Sequence, residues 1–217
     1  MRESRVATVL VASVACLAGR AGAQEPDRDD ASRFVVQIGS DTLAVEDFAW
    51  GDGTLESELR VLTANVRFRL AVAFDADLVP TSFDADMWQP ANDPEADPTI
   101  TSSMEFVGDS VFAEVVGART PEFQRLGSRP GAVPFINLSF ALVELAVRMR
   151  RLAGGDGEVP FFLWSNGQTV SGGIAFGEDD SATLTLGEVV LELTTDASGR
   201  VLGANVPSQN LTVVRVP

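Results

Sequence analysis

The feature that most constrains this chain is a period of two that recurs in short segments, each closed by a polar or glycine-containing turn. Its plainest case is Val66 to Phe74, where Phe68, Leu70, Val72 and Phe74 share one face while Arg67, Arg69, Ala71 and Ala73 share the other. Successive side chains of a strand point to opposite faces, so this is the pattern of a half-buried sheet. A slip of one residue would bury both arginines, so the pattern also specifies the register. Upstream, Arg33 to Ile38, the turn Gly39-Ser40-Asp41 and Thr42 to Trp50 read as a hairpin, and Gly51-Asp52-Gly53 leads into Leu55 to Leu62. Downstream, Val79 to Gln89 reads as a strand, and Thr99 to Val107 with Ser110 to Val116 reads as a second hairpin. Between them Pro90 to Pro98 holds three prolines and reads as an exposed acidic loop.

Gly117 to Pro134 shows no alternation and is expected to be irregular. Phe135 to Leu152 is expected to be the one helix: it follows Pro134, lacks Gly and Pro, and ends before Gly154-Gly155. Ile136, Phe140, Val143 and Val147 recur at helical spacing, and Leu138, Leu142, Leu145 and Met149 widen the apolar surface beyond one stripe, which predicts a mostly buried helix. Arg148, Arg150 and Arg151 sit at its C-terminal end, where the helix dipole favours cations. Six further short strands follow, from Val159 to Trp164 through Leu211 to Val216, separated by turns such as Asn166-Gly167 and Ser198-Gly199. The expected fold is mainly β (α+β): a curved antiparallel sheet or half-barrel of about 10-12 strands wrapped around the apolar helix Phe135 to Leu152.

Residues 1–23 read as a secretory signal, with Arg2 and Arg5, the apolar run Val6 to Ala18 and then Ala21-Gly22-Ala23. Residues 24–31 then form a polar N-terminus, residues 32–217 a single β-rich domain, and the protein is periplasmic or secreted. The apolar run is shorter than the roughly 20 residues a membrane span needs, so no stable span is expected. A cut before Cys16 would instead leave a lipid-anchored protein, although Ser13-Val14-Ala15 lacks the branched apolar residue usual three positions upstream of such a cysteine. Cleavage after Ala23 removes the only cysteine, so the fold has to hold by its core alone. The net charge of -15 becomes two units more negative, which repels phosphate backbones and excludes nucleic acid as an expected partner.

There is no His, Lys or Tyr, and all 16 basic residues are Arg. A Ser-His-Asp triad, a Schiff-base lysine, a phosphate-loop lysine and a His or Cys zinc site all need missing groups. No cofactor or metal is expected, and the protein reads as non-catalytic. Carboxylate chemistry is the remaining enzymatic alternative: Asp84, Asp86 and Trp88 share a strand face, as a glycan hydrolase would need. The simpler reading puts Phe83, Ala85 and Met87 in the core and the aspartates in water. Turn aspartates such as Asp75 and Asp77 could bind calcium, but they match no calcium loop and serve backbone geometry equally well.

The order of elements over Arg33 to Val216 resembles the curved half-barrel of periplasmic lipoprotein carriers and of uncharacterised exported families. Phe34 to Glu46 at the start, with Gly199 to Gly203 and Val206 to Gln209 at the end, are similar to segments of such uncharacterised proteins. The resemblance implies an apolar, helix-plugged cavity and hence a hydrophobic small molecule, a lipid or acyl chain, as ligand. Candidate binding residues are Ile136, Phe140, Val143 and Val147 on the helix, with Phe161 and Trp164 after it. Arg119 and Arg125, together with Arg129, place positive charge where an anionic headgroup could dock. The alternative is an envelope protein module that meets a protein partner through a sheet edge or the acidic loop.

Overall fold

The alternating segments become fifteen strands in one open, strongly curved sheet. The structure is a computed structural model and describes residues 31–91, 96–117 and 121–216; the expected signal segment lies outside them. Eight strands form a first antiparallel meander: β1 (Ala31–Ile38), β2 (Asp41–Gly51), β3 (Thr54–Val61), β4 (Val66–Phe74), β5 (Pro80–Trp88), β6 (Ile100–Val107), β7 (Ser110–Val116) and β8 (Glu122–Gly127). A short strand β9 (Val133–Phe135) and the helix α1 (Phe140–Leu152) follow. A second meander comprises β10 (Gly157–Leu163), β11 (Gln168–Phe176), β12 (Ser181–Leu186), β13 (Val189–Thr195), β14 (Val201–Val206) and β15 (Leu211–Val216). The two meanders join where β1 pairs antiparallel with β15, from Arg33 opposite Val216 to Ile38 opposite Leu211.

Alternation decides which residues face the helix. In β4, Phe68, Leu70 and Val72 are buried, while Arg69 is exposed and Arg67 half-buried. In β3, Leu55, Ser57 and Leu59 point inward while Glu56 and Arg60 point out. The inner faces converge on α1, whose residues from Phe140 to Val147 are all buried. Each fully buried Leu or Val contributes about 1.5–3 kcal/mol, so Leu142, Leu145 and Val147 alone anchor the helix strongly. Phe34 stacks on Phe48 with ring centres 4.9 Å apart, and Phe140 closes over Phe34 at 6.1 Å. Curvature brings the two meanders face to face: Phe68 meets Trp164 edge-on at 5.6 Å, Phe106 meets Phe162 at 5.8 Å, and the Trp164 indole N–H donates to Ser102 Oγ at 2.7 Å.

Two expectations are corrected. The helix begins at Phe140 rather than Phe135, because Val133–Phe135 pairs in parallel with β10 and Leu138 takes a left-handed turn at φ 71. Ser139 is the N-cap, its hydroxyl accepting the Leu142 N–H. Among the described residues there are fifteen strands rather than about ten to twelve; β8 lies in the segment expected to be irregular and β9 begins in it. β8 is an edge strand exposed at every position but Leu126, so no apolar alternation marks it. Pro134 fits β9 because an edge strand leaves amide positions that need no ladder partner.

Candidate functional site

An apolar cavity of about 440 Å³ lies between the N-terminal half of α1 and the second meander. Phe140 and Val143 form its helical wall, and Val170, Leu186, Leu191 and Leu211 form its sheet wall. The polar groups at its margin are few, chiefly Asn137, Ser139 and Gln209. Such a space, partly open to solvent, offers dispersion contacts without a strong anchor. Leu138 also lines it, and a leucine at φ 71 is a strained conformation that the turn into α1 imposes.

Of the residues expected to bind ligand, the structure brings Phe140 and Val143 to this cavity. Ile136, Val147 and Phe161 are buried in the surrounding core, with Phe161 edge-on to Phe135 at 5.7 Å. Trp164 is spent on the contact with Phe68 and Ser102. Arg125 lies on the exposed edge strand β8, where it donates to Ser110 Oγ at 2.9 Å and faces Phe112. Arg129 reaches Ser171 Oγ at 2.8 Å. Arg119 lies outside the described residues.

Two glutamates that sequence reasoning passed over hold the helix in place. Glu46 on β2 is fully buried, and its carboxylate receives Ser57 Oγ–H (2.7 Å), Ser139 Oγ–H (2.6 Å) and the N–H groups of Phe140 (2.7 Å) and Ala141 (2.9 Å). It thus fills the first-turn donors that a helix leaves unpaired, from a different element of the fold. Burial pushes its pKa up, against those four donors. Glu144 on α1 is also fully buried, and its Oε2 receives Arg215 Nη1 and the Val201 N–H at 2.9 Å. Burial raises this carboxyl too, opposed first by the Arg215 charge. A signal existed for Glu46: it occupies the inward parity of β2 between Ala44 and Phe48, so a charge stands in an apolar row.

The outer face carries the surface chemistry. Asp84 is exposed and Asp86 half-buried opposite Arg69, on the face away from Phe83 and Ala85. Trp88 is buried on that face because Arg67 lies 4.1 Å over its ring and its N–H bonds to the Ala96 carbonyl. Asp47 bridges Arg33 (2.6 Å) and Arg60 (2.8 Å) across three strands. A groove of about 650 Å³ crosses this charged surface among Arg33, Asp47, Glu58 and Arg69, but it opens to solvent. Turn aspartates serve the backbone: Asp75 accepts the N–H groups of Asp77 and Val79, and Asp196 those of Ser198 and Arg200. Among the described residues no group of three or more His, Cys, Asp or Glu is placed to hold a metal ion, and no helix is long and apolar enough to cross a membrane.

No family model and no curated protein matches the chain. A solved structure does: a DUF1089 family protein from Pseudomonas aeruginosa, with a TM-score of 0.52 and 13% sequence identity over 78% of this chain and 92% of that one. At that identity the likeness concerns the fold.

Proposed function

We propose that the chain is an exported, non-catalytic binding protein that encloses a hydrophobic ligand, a lipid or acyl chain, between α1 and the second meander. The observation that carries this reading is the apolar cavity of about 440 Å³ against Phe140 and Val143. Its volume falls within the roughly 300–1,000 Å³ usual for ligand sites.

The test is native mass spectrometry on protein purified from an exporting host, followed by titration with a fluorescent fatty acid. A lipid-sized adduct that leaves on denaturation is the expected result. Val189 lines the cavity from β13, and Val189→Trp should weaken fatty-acid uptake at least about tenfold, the worth of roughly two buried CH₂ groups. A clean apo mass with no uptake would overturn the reading. It would favour the envelope-interaction alternative, for which the specific observation is the free edge at β8, with Phe123 75% and Phe112 45% exposed.

A further inference from the structure

Around the C-terminal half of α1, positive charge gathers in a chain that is otherwise strongly acidic. Arg215 on β15 has an 8% exposed side chain and lies across Phe48, 4.9 Å from its ring centre. Its Nη1 reaches Glu144 and the Val201 carbonyl, while its Nε and Nη2 both donate to Ser32 Oγ, at 3.2 and 2.9 Å. Arg200, from the β13–β14 turn, donates to the same Ser32 oxygen at 3.1 Å. Arg148 lies 4.0 Å over the Trp50 ring, its Nη1 3.7 Å from Glu144 Oε1. Arg151, one turn end further, stacks on Phe176 at 4.0 Å.

Glu144 and Asp196 are carboxylates that interact with these guanidinium groups, Glu144 with Arg148 and Arg215 and Asp196 with Arg200. Glu144 Oε2 is taken by Arg215 and the Val201 N–H. Asp196 Oδ1 is taken by the Ser198 hydroxyl and two backbone N–H groups. The acceptor on which Arg200 and Arg215 converge is therefore a neutral hydroxyl with two lone pairs, facing three N–H groups from two cations. Burial pulls Arg215 down from the usual arginine range; Glu144 opposes this, and the charges of Arg200 and Arg148 add to it. Gly199 holds the arrangement together: at φ 85 a side chain there would meet Arg148 Cα and Arg151 Cβ at 3.3 Å, so the turn presses directly on α1.

We infer that Arg148, Arg200 and Arg215, with Ser32, form a binding site for a phosphate-class oxyanion. An oxyanion supplies the charge and the lone pairs that Ser32 lacks, and guanidinium forks match phosphate geometry. Arg148 is 29% exposed and Arg200 half-buried, which gives the anion a way in. The site touches Glu144 and Arg148, whereas the apolar cavity touches Phe140 and Val143, so the two share no residue of the helix.

Isothermal titration of the whole protein with inorganic phosphate at low ionic strength tests the site. Saturable binding near one equivalent is expected, weakened about tenfold or more in Arg200→Gln, the scale of one lost charge-assisted hydrogen bond. The urea midpoint of Arg200→Gln should match the parent, so that a loss of binding is not a loss of fold. A second arm compares vesicles of phosphatidylglycerol and phosphatidylcholine. Binding to phosphatidylglycerol that Arg200→Gln removes would identify a lipid headgroup as the source of the phosphate, and phosphate binding without it a free ion. Failure of both arms, or binding indifferent to Arg200→Gln, would overturn the site. Val189→Trp should not affect phosphate uptake, so loss of the carrier reading and loss of this site are separable.

Discussion

Glu46 and Glu144 are both fully buried carboxyls against the same helix, yet they are satisfied by opposite means. Glu46 is surrounded by neutral dipoles: two serine hydroxyls and two backbone N–H groups, two donors to each oxygen. Glu144 is surrounded by cations, and its Oε1 has no hydrogen-bond partner, only Arg148 at 3.7 Å. Directional bonds from neutral donors fix a geometry, here the angle at which α1 enters the curved sheet. Cations balance a charge with looser geometry, and at this end they exceed the charge they balance. The N-terminal end of the helix is therefore a locked joint beside an apolar cavity, and the C-terminal half is a charged end with capacity to spare.

The largest effect is expected where a buried charge would be stranded. Arg215→Ala leaves Glu144 without its main partner, which costs about 3–5 kcal/mol for a broken buried pair. The stacking of Arg215 on Phe48 and Phe34 is lost as well. Urea unfolding measures the loss, and the double variant Arg215→Leu/Glu144→Leu should recover most of it, since an apolar pair of similar volume strands no charge. If the single variant unfolds at the parental midpoint, Glu144 is balanced by Arg148 alone and the contrast between the two glutamates fails.

The other glutamate should behave differently. Glu46→Ala orphans two backbone N–H groups that cannot turn elsewhere, at about 2–4 kcal/mol together. Glu46→Gln keeps one acceptor oxygen and should cost less, about 1–2 kcal/mol. Equal losses in the two variants would mean that charge, rather than directional bonding, matters at Glu46 after all.

How much of this was legible depended on which neighbours a residue needed. The strands of the first seven segments and the last six follow from alternation alone, because one face of each meets the same apolar interior. β8 was illegible because Leu126 is its one residue packed against the core, so nothing in Glu122 to Gly127 alternates. β9 was illegible because three residues with a central proline gain their pairing from β10, which lies beyond the helix. The helix start was missed for the same reason: Phe135 has helical spacing with Phe140 region residues, but tertiary pairing claims it first. Phe140 and Val143 were legible as cavity candidates because they lie on a helical apolar face; the sheet wall was not, since any inward Leu or Val looks alike. The arginine cluster joins Ser32, Arg148, Arg200 and Arg215, residues up to 183 positions apart, and no local pattern could have assembled it.

The smallest expected effect is that of pH, and its sign separates the two kinds of carboxyl. Burial holds Glu46 and Glu144 above the usual range. A carboxyl raised on folding keeps its proton more tightly in the folded chain, so its stabilisation is complete below the ordinary range and is lost as pH rises through the folded value. Asp47 and Asp196 run the other way. Partial burial raises each, but Arg33 and Arg60 outweigh it at Asp47, and Ser198 with the Arg200 N–H outweighs it at Asp196, so both end low. Their contribution is lost only as pH falls through those depressed values. Stability should therefore peak in mildly acid solution, with a higher urea midpoint at about pH 5 than at about pH 8. Relief of the net charge of -15 acts in the same direction, so the deciding variant is Glu46→Gln, which cannot titrate. A shallower slope in that variant assigns part of the pH dependence to the buried joint, and an unchanged slope assigns it to the surface. A parental midpoint that climbs from about pH 5 to about pH 8 would reverse the sign, and would mean that the four donors around Glu46 outweigh burial and keep it ionised.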